Sequence, residues 1–214
     1  MAAASPAPQT PTAVADEFEH EAAELVLPLL DRATAVSERL ANGEAIDPEF
    51  IAEMVQLWTQ YLHEIRAPRL EQYFKAHTPP VPAAAPHATG LRARLHPAGS
   101  NAPRGPDVAV EVREDRERLE QRTGTLEDAL DDYRRHQFGS AQLLASLLRA
   151  DAFADRAWVR YEREAVRTAR RRTISAEEED RLRRGLEATE PVRVGLEAKV
   201  RRFLARPVPV APHA

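Results

Sequence analysis

The chain has no cysteine, only 8 glycines and an aromatic content of 6%, and each shortage removes a class of function. Without cysteine there are no disulfides, no thiolate metal ligands and no cysteine nucleophile. Because aromatic side chains are few, nucleic-acid bases would find few surfaces on which to stack. The net charge is −4, and acidic and basic residues are intermixed, so the sequence lacks a basic patch for phosphates. We therefore expect no nucleic-acid partner.

Long apolar runs and targeting signals are also missing. No run of 18 apolar residues occurs, so the sequence predicts no transmembrane helix. The first residues are rich in alanine and proline and have neither the basic start nor the apolar centre of a secretory signal. We expect a soluble, cytoplasmic protein with no membrane partner.

What the sequence does contain is a helical pattern. Hydrophobic residues make up 43% and charged residues 30% of the chain, and apolar positions recur every three or four residues. Nearly all of the basic residues are arginine, since only Lys75 and Lys199 are lysine. We interpret this bias as a trait of the whole composition and not as a sign of a site.

Two long helices are predicted in the first part of the chain, at 12–42 and 48–76. The second begins at Asp47-Pro48-Glu49, where a capping residue is followed by proline and an acidic residue. Pro28 and Pro68 lie inside these helices and are each expected to kink them, because proline removes a backbone hydrogen bond.

A proline-rich linker at 78–106 separates this first helix pair from a second pair at 107–172, which is interrupted at 136–139. A capping box at Ser175-Ala176-Glu177-Glu178 predicts the start of a fifth helix. A short sixth helix is expected to follow Pro191.

This order of elements predicts an all-α fold, an up-and-down four-helix bundle at 12–187 with an additional C-terminal helix at 188–206. Residues 1–11 and 207–214 are expected to be disordered, because they have too little apolar bulk to offset the entropy lost on ordering.

The chemistry of the chain is centred on two histidines, His20 and His63, which are candidates for a buried metal site. The apolar stripe of the third helix contains Asp115, although a shift of one residue would place Glu114 there instead. Glu162 would lie at a matching depth on the fourth helix. The other histidines are expected to face solvent; they are His77, His87, His96, His136 and His213.

A family resemblance extends over roughly residues 13–187. With Glu19-His20 on the first helix, His63 late in the second and Gly105-Pro106 before an acidic third helix, the chain resembles the hemerythrin family and its bacterial histidine-histidine-glutamate cation-binding relatives. Members of this family hold two irons between four helices, with histidine and carboxylate ligands.

The resemblance implies a ligand set of His20, His63 and Glu162, all belonging to one of the two iron positions. Asp115 stands where a third-helix histidine is expected and would serve as a fourth ligand or as a hydrogen-bond acceptor behind the ligands. Two imidazoles and one carboxylate suit a single non-haem iron or another divalent metal ion.

The sequence also departs from the pattern of the family. Ala67 occupies the position of a bridging glutamate, and Trp158 occupies that of a fourth-helix histidine. At most one half of the metal centre is therefore expected. Asp115 could instead pair with an arginine, because an unpaired buried carboxylate is costly.

Two functional hypotheses follow. The first is a hemerythrin-like bundle with a reduced, single-metal site that binds dioxygen or nitric oxide in a sensing, metal-handling or stress role. The second is a metal-free, degenerate bundle that serves as a structural or protein-interaction module, with a homo-oligomer as one form. No nucleophile-base pair, phosphate-binding loop or H-E-x-x-H zinc motif is present, so no catalytic residue is predicted.

Overall fold

The structure, a computed structural model, describes residues 11–77 and 121–211, with side chains from Val14 onward. These residues are mostly helical, and the only β-pairing among them is an isolated antiparallel bridge between Ile46 and Val210. The all-α prediction is therefore confirmed for this part of the chain. No helix within it is long and apolar enough to span a membrane.

Several predictions concern residues outside the described ranges. These are residues 1–10, the linker 78–106, the start of the third helix at Asp107, the candidate ligands Glu114 and Asp115, and the end of the tail with His213.

The two long helices of the first part are each interrupted by a π-helical segment. The first consists of α1 (Pro11–Glu21), a π-helical segment (Ala22–Val26) and α2 (Leu27–Ala41). The second consists of α3 (Pro48–Thr59), a π-helical segment (Gln60–Arg66) and α4 (Ala67–His77). The predicted start of α3 is confirmed, because the Asp47 side chain accepts a hydrogen bond of 3.0 Å from the N–H of Glu49.

Both π-helical segments end immediately before a residue that precedes proline. The N–H groups of Leu27 and Ala67 each donate to a carbonyl five residues earlier. Pro28 and Pro68 have no N–H to donate, and in a regular α-helix their rings would collide with the carbonyl four residues earlier. The wider turn relieves this collision while the preceding N–H stays hydrogen-bonded. The irregularity expected at each proline therefore takes the form of a π-helical turn.

Three further helices follow. They are α5, which covers the described helical residues 121–134, α6 (Ser140–Ala169) and α7 (Ala176–Leu204). Gly139 precedes α6 with φ of 77°, in the left-handed region that glycine adopts without strain. The capping box predicted at the start of α7 is confirmed, with Ser175 and Glu178 bonded reciprocally.

The prediction of a helix break at Pro191, with a separate helix at 188–206, is wrong, because α7 continues through this proline. Arg193 forms ion pairs with Glu190 at 2.5 Å and with Glu197, so one side chain links a residue before Pro191 to a residue after it. Apolar residues of α7 are also buried on both sides of the proline. These contacts offset the hydrogen bond that Pro191 cannot make.

The first long helix lies antiparallel to α6. Ion pairs between the two helices show this direction, because residues later in α6 pair with residues earlier in the first helix. The pairs are Arg156–Asp31 at 2.5 Å, Arg163–Glu19 at 2.6 Å and Arg170–Asp16 at 2.8 Å.

The buried apolar side chains form two clusters. The larger lies among the two π-helical segments, α2, α3, α5, the N-terminal two-thirds of α6 and the C-terminal part of α7. The smaller lies among α1, α4, the end of α6 and the N-terminal part of α7. Residues 207–211, which were expected to be disordered, lie against the larger cluster's end, where the N–H of Ala211 donates to the carbonyl of Ala45 at 2.9 Å.

Pro191→Ala is expected to stabilise the protein by about 1–3 kcal/mol, because alanine restores the missing helical hydrogen bond and removes the ring. Urea unfolding would measure this change. Pro207→Ala, beyond the end of α7, is the matched control and should give no increase. A loss of stability in Pro191→Ala would show that the proline is required at this position.

Candidate functional site

The described part of the chain holds three of the four predicted metal ligands, in different surroundings. His20 is exposed on α1, whereas His63 and Glu162 are 5% and 3% exposed. Among residues 14–77 and 121–211, no three histidine, aspartate or glutamate side chains are placed to hold a metal ion. Asp115, the fourth predicted ligand, lies outside these ranges.

The residue that α1 turns inward is Glu21, which is 0% exposed, and not its neighbour His20. The buried face of the first helix includes Phe18, Ala22 and Leu25, and Glu21 belongs to this face. The neighbouring face of this helix, which carries His20, is only partly buried, since Ala23 is exposed as well. A single inward face explains why His20 is left in solvent.

Glu21 belongs to a set of buried and partly buried charged residues that we call the arginine–glutamate network. Its members come from α1, the second π-helical segment, α4, α6 and α7, and they are Glu17, Glu21, Arg66, Arg69, Glu162 and Arg193.

Arg66 is the centre of this network and is 1% exposed. Its Nε donates to Glu162 Oε2 at 3.1 Å, and its Nη1 lies 3.4 Å from Glu21 Oε2 and donates to the carbonyl of Phe18 at 3.2 Å. One guanidinium therefore joins the first helix, the second helix and α6.

Arg69 and Arg193 extend the network to α7. Arg69, also 1% exposed, donates to Glu21 and, at 2.9 Å, to Glu17. Arg193 lies 3.1 Å from Glu17 and 3.6 Å from Glu21. Every carboxylate in the network thus lies against at least one guanidinium.

The network is electrostatically matched. Burial alone would lower the pKa of Arg66, but Glu162 and Glu21 raise it above its ordinary value. Burial, followed by Glu21, raises the pKa of Tyr61, which lies nearby. The ring of Phe18 adds cation–π contacts, with its centroid 5.8 Å from Arg66 Cζ and 5.3 Å from Arg69 Cζ. Arg66 and the hydroxyl of Tyr61 therefore keep their protons.

The network lies between the two apolar clusters. On the first helix Glu21 separates Phe18 of the smaller cluster from Ala22 of the larger one, and on α6 Glu162 separates Val159 of the larger cluster from Ala165 of the smaller one. The interior is thus apolar, then charged, then apolar along the long axis of the helices.

Sequence reasoning missed the arginines of this network because we interpreted the arginine bias as a trait of composition. The signal was their position: Arg66 and Arg69 stand on an otherwise apolar face between Ile65 and Leu70. An arginine on such a face requires a buried carboxylate partner.

A second buried polar cluster lies beside His63. It borders a small, half-open cavity of about 10 Å³ that we call the inner chamber, lined by Trp58, Thr59, His63, Arg122, Thr123, Leu126, Asp151 and Asp155. Asp155 accepts a hydrogen bond of 2.8 Å from Trp58 Nε1 and one of 2.7 Å from Arg122 Nη2. Arg122 Nη1 is 3.5 Å from Asp151.

The two aspartates show that the inward face of α6 is partly polar. The apolar residues Leu143 and Phe153 are 50% and 75% exposed, while Asp151 and Asp155 are 8% and 2% exposed. Burial raises the pKa of Asp151 above its ordinary value, and Arg122 offsets only part of this shift.

An open groove of about 530 Å³ adjoins the chamber, between the second long helix and α5. Thr59 and Thr123 line both the groove and the chamber.

The predictions that the remaining histidines face solvent have mixed outcomes. His136 is exposed as expected. His77 is only 4% exposed, and its Nδ1 donates to the carbonyl of Tyr73 at 2.8 Å.

Comparison of the chain with protein-family profiles, with curated proteins and with solved structures finds no match.

Arg66→Met is expected to reduce the free energy of unfolding by about 3–5 kcal/mol, because it leaves Glu21 and Glu162 buried without this partner. Urea denaturation would measure the loss. The control is Arg181→Met, which removes an exposed pair with Glu177 and should cost less than about 1 kcal/mol. Equal losses in the two variants would contradict a stabilising role for the network.

Asp151→Asn is expected to stabilise the protein at pH 7. Because the folded-state pKa of Asp151 is above the unfolded value near 3.8, the native state binds this proton more tightly, and the ionised carboxylate opposes folding at higher pH. The gain should shrink as the pH is lowered toward that value.

Urea unfolding at a series of pH values tests the Asp151 prediction. Asp128→Asn, an exposed position on α5, is the control and should show no gain. If Asp151→Asn is less stable than the wild type at pH 7, the ion pair with Arg122 outweighs the cost of burial.

Proposed function

We propose that the chain is a metal-free helical bundle of the hemerythrin type that serves as a structural or protein-interaction module. The observation that carries this proposal is the hydrogen bond from Arg66 Nε to Glu162 at 3.1 Å. A guanidinium that is 1% exposed lies against the carboxylate that the resemblance assigns to iron. A metal ion there would have to displace this cation or stand beside it, and like charges at short range repel strongly in a buried setting.

The surroundings of the histidines support the same proposal. His20 is exposed, so it would need a rearrangement of α1 to reach the side chains inside the bundle. Glu21, which does point inward, is held by Arg66 and Arg69. The charged layer that the family fills with metal and ligands is, in this proposal, filled by arginine–glutamate pairs.

The competing function is the one that the resemblance implies, a reduced site for iron or another divalent ion formed by His20, His63, Glu162 and Asp115, with a small diatomic ligand. It requires that Arg66 leave Glu162 and that His20 turn inward. The four-helix arrangement belongs to both functions, and the antiparallel packing of the first long helix on α6 supports it.

Anaerobic loading of the purified full chain with Fe(II) is expected to leave far less than one iron per chain, and the melting temperature should not respond to iron or to chelator. A bound ion at about 100 times its Kd would add about 2.7 kcal/mol to the free energy of unfolding.

His20→Ala and His63→Ala distinguish the two functions further. Stoichiometric iron that is lost in both variants would overturn the metal-free proposal. Iron retained equally in both would indicate adventitious surface binding and would leave the predicted ligand set refuted.

A further inference from the structure

His77 is the last residue of α4, and its imidazole is buried near the N-terminal end of α7. The ring lies against that of Tyr73, with the centroids 4.1 Å apart and the planes at 35°. Tyr73 is 0% exposed and meets Phe18 of α1 edge-on, with 5.5 Å between the ring centroids. His77 therefore ends a row of aromatic rings that begins in the smaller cluster.

The two ring nitrogens of His77 have different surroundings. A carbonyl can only accept, so Nδ1 carries the proton of the neutral ring in its 2.8 Å hydrogen bond to the carbonyl of Tyr73. Nε2 is then a buried lone pair, and it has no hydrogen-bond partner among residues 14–77 and 121–211. Protonation would turn Nε2 into a charged donor without an acceptor, which is far more costly to bury than a lone pair.

The charges that face the imidazole from the neighbouring elements do not favour an imidazolium. Arg172, in the turn after α6, donates from Nη1 to the carbonyl of His77 at 3.2 Å, so a guanidinium already lies at this end of α4. Glu178 of α7 attracts a proton on His77, but the repulsion from Arg172 is larger. Oε2 of Glu178 also accepts hydrogen bonds from the N–H and the hydroxyl of Ser175, at 2.9 and 2.6 Å.

The charges at the far side of the aromatic row are already matched. Asp16 of α1 and Arg170 at the end of α6 form an ion pair of 2.8 Å, and both act on Tyr73. Neither of them acts on His77. The imidazole is therefore stable in this position only while it is neutral.

Burial lowers the pKa of His77 below its ordinary value of 6.5. The hydrogen bond to the Tyr73 carbonyl opposes this shift, and Arg172 adds to it more than Glu178 removes. Because the folded-state pKa lies below the unfolded-state one, the native state binds this proton less tightly. The stability that depends on His77 is therefore complete above about pH 6.5 and is lost as the pH falls toward the folded-state pKa.

The end of α4 has the packing of a segment that can open by itself. Of residues 75–77, only His77 is buried, so its ring is the main anchor of this last turn. A cavity of about 390 Å³ lies between the same turn and α7, lined by Gln72, Lys75, Ala76, Glu178, Arg181, Leu182 and Gly185. A helix end with few buried contacts opens at a lower free energy than the whole bundle does.

We propose that His77 is an acid-sensitive conformational switch, in which protonation of Nε2 releases the last turn of α4 from α7 and from the turn after α6. The release uncovers Tyr73 and this end of the smaller cluster. His77 and its contacts are separate from the arginine–glutamate network, so the inference does not depend on the metal-free function.

Hydrogen–deuterium exchange of the full chain at pH 7.5 and pH 5.5 tests the proposal, with the rates corrected for the pH dependence of the exchange chemistry. The open fraction of the last turn of α4 should rise by about three- to tenfold at the lower pH, as linkage to a single protonation allows. Amides in the middle of α2 should not change, because the rest of the bundle stays closed.

His77→Phe is the test variant, because phenylalanine keeps an aromatic ring beside Tyr73 but cannot be protonated. It should remove the pH response of the last turn of α4. His136→Asn is the matched control at an exposed histidine, where asparagine tolerates the backbone φ of 54°. This variant should respond to pH as the wild type does.

An NMR titration of the histidine rings in the wild type gives a second measurement that does not depend on the folding of a variant. His77 should titrate below His136 and below pH 6.5. Three results would overturn the proposal. They are a His77 pKa at or above 6.5, an unchanged pH response in His77→Phe, and an equal rise of exchange in α2, which would mean global unfolding.

Discussion

The interaction on which the rest of the structure depends is the burial of the Arg66 charge between Glu21 and Glu162. A cation inside a protein is tolerated only where carboxylates lie against it, and here those carboxylates come from two other helices. Sliding the first helix or α6 by one residue would remove a partner and leave charge unpaired. The network therefore fixes how the helices are aligned along their length, which apolar packing alone specifies less strictly.

The charged layer also explains how α7 is held. The apolar residues of α7 fall into two groups, one in each cluster, with Arg193 between them against Glu17 and Glu21. A helix that touches two apolar clusters can shift without losing much contact area. The ion pairs at its middle are directional, so they select one position, and this holds the helix together around Pro191.

The sequence predicted those features that depend on local chemistry. The starts at Asp47 and Ser175 follow from capping, and the buried stripe of α3 follows from helical periodicity. The site could not be predicted in the same way, because whether Glu162 meets a metal or an arginine depends on side chains distant in sequence. The choice between His20 and Glu21 required the direction of the single inward face, which the apolar pattern of the first helix left open.

The π-helical turns have a consequence for the comparison of sequences. A π turn accommodates one more residue than an α turn, and each extra residue rotates the following helix by about 100°. His63 lies within such a segment and Ala67 lies just beyond it. Across this boundary Ala67 therefore falls slightly short of one full turn from His63, whereas in a regular α-helix it would lie slightly beyond one turn. An alignment to a straight-helix relative should carry a single-residue gap before each of Pro28 and Pro68.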